Sequence, residues 1–155
     1  MATLAPEVLR VLVAAAVGVL GWLLFHFFAR QVLDFYELRK ITHEELVFTA
    51  NIGGANNIGF AKAQDDLRRL SAKMGALNRS LSTVSSRFLS WRGYDLEKAA
   101  GGLRGLSNNL GRAGYDKAYS RFSVEAGLRL PTEDTPERLE TLRQIEERRE
   151  GRADG

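Results

Sequence analysis

Gly54 and Gly59 enclose four residues in NIGGANNIGFAK (residues 51–62), the glycine spacing of a phosphate-binding loop. Such a loop cradles phosphate oxygens on backbone N–H groups and needs Lys, then Ser or Thr, directly after the second glycine. Phe60 and Ala61 stand there instead, and Lys62 arrives two positions late. A helical pattern, not a strand, precedes it. Glycine and asparagine tolerate left-handed backbone angles and end helices, so the stretch reads as a hinge over 51–59.

The other chemistry-bearing residues fail in similar ways. His43-Glu44 begins like a zinc-protease signature, but Val47 occupies the place of the second histidine. His26 lies in an uncharged apolar run, where neutral imidazole can hydrogen-bond a neighbouring helix. With two histidines and no cysteine, a tightly held transition metal is not expected. Asp65 and Asp66 fall in a helical first turn, where carboxylates meet the positive dipole end. Asn78-Arg79-Ser80 matches a glycosylation acceptor but falls in mid-helix. No nucleophile and base can be assembled, so neither an enzyme nor a cofactor is expected.

The elements that carry these residues say more. The 155 residues are 45% apolar and 26% charged, enough for one domain and a tail. Residues 11–29 contain no fixed charge and are bracketed by Arg10 and Arg30. As a helix they span roughly 28 Å, close to the ~30 Å hydrocarbon core. A cleaved signal peptide would have a core of about 7–15 residues followed by small residues. This run is longer and ends Phe-Phe-Ala-Arg, so a transmembrane anchor is the better reading. Arg30, Arg39 and Lys40 outnumber Arg10, which puts the N-terminus outside and the body in the cytoplasm, at the inner membrane. The lack of cysteine is compatible with a reducing compartment.

Beyond residues 1–10 and the span, the spacing of Leu38, Ile41, Phe48 and Ile52 predicts a helical stalk over 30–50. After the hinge the pattern is more regular. Phe60, Ala63, Leu67, Leu70, Met74, Leu77, Leu81, Val84, Phe88 and Trp91 alternate spacings of three and four, an a/d seam that must face another helix. A breaker at Arg92-Gly93-Tyr94 and a capping Asp95 precede a second seam: Leu96, Ala99, Leu103, Leu106, Leu110 and Ala113. Two seamed helices with a short turn predict an antiparallel hairpin within a domain over 60–130. Gly101, Gly102, Gly105, Gly111 and Gly114 lie off that seam: they make either a small-residue face, with Gly101 and Gly105 one turn apart, that can admit another backbone, or a loosely specified helix with broken turns. Tyr115, Ala118, Tyr119, Phe122 and Ala126 predict a short third helix folding back. Residues 131–155 read as a charged, partly disordered tail, with a helical start at Thr135-Pro136-Glu137. The fold class is therefore all-α.

Charge is divided unevenly. Residues 30–129 hold 16 Lys/Arg against 10 Asp/Glu, whereas 130–155 hold 5 against 8. Arg30, Arg39, Lys40, Arg68 and Arg69 are candidate contacts for anionic lipid head groups. No nucleic-acid motif accompanies the basic charge, and no small-molecule substrate is indicated. The segments LRKITHEELVFTANI (38–52), DLRRLSAKMGALNRSL (66–81) and GLRGLSNNL (102–110) resemble uncharacterised small bacterial membrane proteins with one N-terminal span. The resemblance covers residues 35–112 and implies no activity. The expected function is a membrane-anchored scaffold or adaptor, presenting a cytoplasmic coiled-coil-like hairpin to a protein partner or to a second copy. The alternative is a phage-type lysis factor, since inner-membrane spanins are similar in layout but hold their coiled coil outside the cytoplasm. A non-catalytic subunit of a membrane enzyme ranks below both.

Overall fold

The computed structural model describes residues 4–50, 52, 59–132 and 135–153. Among these residues every element is helical and no strand occurs, so the chain is all-α. The hinge expected over 51–59 lies outside the described residues, apart from Ile52 and Gly59.

Helix α1 (Leu4–Leu24) passes through a π-helical turn (Phe25–Ala29) into α2 (Arg30–Ala50). Leu24 and Arg30 keep right-handed helical angles, and Arg30 N–H donates to Phe25 O, five residues back. The rod is therefore continuous. The extra residue in that turn rotates the faces that follow by roughly 100°.

The two halves of the rod differ in surroundings. Large apolar side chains along α1 are exposed, Trp22 by 61%, and this helix is long and apolar enough to cross a membrane. On α2, Phe35, Leu38, Thr42, Leu46 and Thr49 are buried at intervals of three and four. Phe35, Leu38 and Leu46 join the same apolar core as Leu67 and Leu103, so residues 30–50 are part of the body and not a free stalk. Ile41 and Phe48, whose spacing with Leu38 and Ile52 predicted the helix, are exposed. Threonines can replace them inside because each hydroxyl donates to its own helix: Thr42 to Leu38 O at 2.8 Å and Thr49 to Glu45 O at 2.8 Å.

Helix α3 (Phe60–Ser80) buries Ala63, Leu67, Leu70, Ser71 and Met74. It packs on α5 (Leu96–Asn109), where Leu96, Leu103 and Leu106 are buried. The two run antiparallel: Gln64 Nε2 donates to Ser107 O at 2.9 Å, and Ser71 Oγ to Ala100 O at 2.8 Å. Asp95 caps α5, its Oδ1 accepting from Lys98 N–H at 2.8 Å.

Between them the expected single seam is interrupted. Leu81 turns extended, with ψ 135°, and Ser82 caps a separate helix α4 (Thr83–Trp91) by accepting from Ser85 N–H at 3.2 Å. Two non-helical residues reset the phase, so Ser85 and Leu89 turn inward. Val84 and Trp91, expected in the seam, are instead 65% and 79% exposed.

Helix α6 (Tyr115–Gly127) lies antiparallel on α5, with Asp95 N–H donating to Gly127 O at 2.8 Å. The contact is small side against small side. A Cβ on Gly102 would stand 2.7 Å from Ser120 O and 2.8 Å from Val124 N, and one on Gly127 would stand 2.6 Å from Asp95 O. Gly105 meets Ser120, whereas Gly101 faces open space. Gly102 thus admits the α6 backbone and Gly105 the Ser120 side chain, while Gly101 admits neither. The aromatic face of α6 expected to fold back is half-buried or exposed, while Ser120, Ser123 and Val124 make the contact. Helix α7 (Pro136–Ala153) extends through the tail expected to be partly disordered. Thr135 caps it, Arg143 pairs with Glu147 at 3.0 Å, and Leu139 is buried.

Candidate functional site

His26 stacks on Trp22 in the apolar part of the rod, with ring centroids 5.2 Å apart. His43 sits on the same continuous helix about 25 Å farther along at 1.5 Å per residue, so the two cannot share a ligand. Among the described residues no group of three or more His, Cys, Asp or Glu converges on a metal-sized site.

Two acids are withdrawn from water, Glu125 fully and Glu45 in part. Glu125 is held by Arg121 at 2.8 Å within one helix, and its side chain is 4% exposed. Burial pushes the Glu45 carboxyl above its ordinary range, Asp66 adds to the shift and Lys62 opposes it. Its Oε1 has no hydrogen-bond partner. Burial, followed by a hydrogen bond with Tyr36, likewise raises the Tyr94 phenol, which keeps it neutral. Glu125 is thus paired with Arg121 along one helix, and Tyr94 with Tyr36 between α2 and the segment after α4.

The residues expected in the helix-packing seam divide into three sets. Leu67, Leu70, Met74, Leu96, Leu103, Leu106 and Leu110 are buried in one cluster. Leu77, Leu81 and Phe88 pack against its edge. Val84 and Trp91 lie outside it.

The candidate lipid-contacting cations also separate. Arg39 is engaged internally: its Nε donates to Leu128 O at 2.8 Å and its NH2 to Arg129 O at 2.9 Å, satisfying carbonyls at the end of α6. Arg69 pairs with Asp65 at 2.8 Å, and Lys40 lies 3.8 Å from Glu44. Arg68 and Arg69 lie about 16 Å along α3 from the end that meets the apolar rod. Arg30 is exposed at that end, and so are Arg79 and Arg87, which the lipid set did not include.

Polar and aromatic contacts join α4 to the rod at that junction. Gln31 Oε1 accepts from Ser82 N–H at 2.9 Å, and its Nε2 donates to Ser80 O at 3.4 Å. Ser82 Oγ donates to Phe27 O at 3.3 Å, a carbonyl inside the π-helical turn. Phe28 meets Phe88 edge-on at 5.3 Å. A notch of about 340 Å³ opens beside these contacts, lined by Leu20, Leu24, Phe27 and Val84 among others. The polar half of the junction fixes α4 to the rod, and the apolar half stays open. Sequence reasoning missed this site by counting Val84, Phe88 and Trp91 into the seam; the available signal was Ser82 three residues before Ser85, a helix start.

No family model matches the chain, and neither a curated protein nor a solved structure does.

Proposed function

We propose that the chain is a single-span anchor of the inner membrane that holds a helical scaffold or adaptor in the cytoplasm. Residues 11–29 form the span in this reading, with the N-terminus outside. Within the body, α3 and α5 form the antiparallel hairpin, with α6 laid on it as the third helix. The observation that carries the reading is the continuity of the rod. One helix is apolar and exposed on all sides in its first half, and is built into the core through Phe35, Leu38 and Leu46 in its second. An anchor joined in this way holds its body at a fixed distance and angle from the bilayer, as a scaffold requires. The partner is a protein or a second copy, and the reading assigns no catalysis to the chain.

A C-terminal phosphatase fusion, active only outside the cytoplasm, tests the placement. Low activity is expected, since Arg30, Arg39 and Lys40 outnumber Arg10 around the span. Strong activity would overturn the cytoplasmic placement and favour a spanin-like envelope factor.

A further inference from the structure

Helix α4 carries an apolar face that the fold leaves uncovered. Val84, Phe88 and Trp91 follow one another at helical spacing, so they share one side. Val84 and Trp91 are 65% and 79% exposed, while Phe88 is half-buried against Phe28. Ser85 and Leu89, about 100° round the helix from Val84 and Phe88, are buried in the body. Thus α4 has two apolar sides, one at Leu89 buried in the body and one, with Val84 and the large Trp91 ring, turned outward.

The position of α4 says what covers that face. Its first turn is tied to the rod at Phe27 O and Gln31, at the end of residues 11–29. Its far end leads to Tyr94, which packs on Phe35 at 4.7 Å and on Tyr36 at 6.1 Å. So α4 descends obliquely from the last turn of the apolar segment to about two turns beyond it. A span of roughly 28 Å centred on residue 20 places that depth at the boundary of acyl chains and head groups. Trp is enriched at this boundary because its ring is apolar while its N–H seeks water or head groups. Arg87 on α4, with Arg79 and Arg30 nearby, is exposed beside the same face and suits anionic head groups. The apolar notch between α1 and α4 continues the lipid-facing surface of the rod onto the body.

We infer that α4 is an interfacial helix: Val84, Phe88 and Trp91 rest in the head-group region of the bilayer, and the Arg87 guanidinium meets anionic lipid. This rests on the membrane-anchor reading and deepens it, because a second contact with the bilayer sets the tilt and rotation of the body. A protein covering the same face is the competing arrangement.

Two single-tryptophan full-length chains distinguish these cases. Trp22→Phe leaves Trp91 as reporter, and Trp91→Phe leaves Trp22, about 3 Å from the centre of the span. Both substitutions fall on exposed side chains, so the core is untouched. Each chain is reconstituted into phosphatidylcholine–phosphatidylglycerol vesicles carrying quenchers at shallow or deep positions. Trp91 should be blue-shifted and lose emission chiefly to the shallow quencher, and Trp22 to the deep one. Replacing Arg87 by Glu should reduce the shallow quenching of Trp91 while leaving Trp22 unchanged.

Trp91 emitting as in water and unquenched, with Trp22 quenched, would overturn the interfacial helix and leave the anchor standing. Trp91 blue-shifted yet unquenched would give the face to a second copy of the chain, again overturning the inference. Trp22 unquenched at every depth would overturn the anchor reading itself.

Discussion

Gly101 and Gly102 are neighbours on α5, and alanine at the two positions should act in opposite directions. At Gly101 a Cβ would meet nothing within 4 Å. Its effect is then the intrinsic gain of replacing helical glycine by alanine, about 0.8–1 kcal/mol of stabilisation. At Gly102 the same methyl would stand 2.7 Å from Ser120 O, 2.8 Å from Val124 N and 2.8 Å from Val124 Cγ2. Two of these atoms are backbone, so relief requires moving α6 and not one side chain. Overpacking of this kind costs about 1–3 kcal/mol, and the absence of a flexible neighbour puts it near the upper end. Subtracting the propensity gain leaves a net loss of about 1–2 kcal/mol, so the two variants should differ by about 2–3 kcal/mol. Urea unfolding of the full chain in detergent micelles, followed by far-ultraviolet circular dichroism, measures the difference. Gly127→Ala should behave like Gly102→Ala, because its Cβ would stand 2.6 Å from Asp95 O and 2.9 Å from Ala99 N. If Gly101→Ala and Gly102→Ala shift the midpoint equally, the close contact between α5 and α6 is not present.

Leu67 is fully buried, so Leu67→Ala should cost about 2–5 kcal/mol in the same assay, whereas Arg68→Ala, at an exposed position, should change stability by less than about 0.5 kcal/mol; equal losses would remove α3 from the core. Arg39→Ala should destabilise by about 1–3 kcal/mol, because two carbonyls at the end of α6 lose a charged donor. Arg39→Lys should recover only part of that loss, since a single ammonium cannot reproduce the fork, and full recovery would mean that charge alone matters. Glu45 has a raised folded-state pKa, so the native chain holds its proton more tightly than the unfolded chain does. Stability is therefore lost as pH rises from the ordinary value of 4.5 through the higher folded-state value. Thermal melts across that window should show the loss in the parent chain and a flatter profile for Glu45→Gln; parallel profiles would place Glu45 in water.

The class of the chain was legible from local pattern alone. An uncharged run over 11–29 and apolar spacings of three and four already require helices with one sticky side or none polar, and Asp95 before a periodic stretch is a cap wherever the helix ends up. Burial at Leu67, Leu70, Met74, Leu103 and Leu106 agrees with their spacing because each lies within an unbroken helix, where counting residues is the same as counting angle. The count failed at Leu81 and Ser82. A seam read from sequence assumes continuous hydrogen bonding, and two extended residues shifted the phase, leaving Val84 and Trp91 outside. The inward face of α2 was also hidden, since Thr42 and Thr49 look polar until their hydroxyls are satisfied within the helix. Glycine content showed that some backbone would come close but not where: Gly101, Gly102 and Gly105 are equivalent in sequence, and only the position of α6 distinguishes them. Sequence fixes what a residue can do along its own helix. Which neighbour it meets depends on how the helices are placed, and that placement emerges from the packing of the whole core.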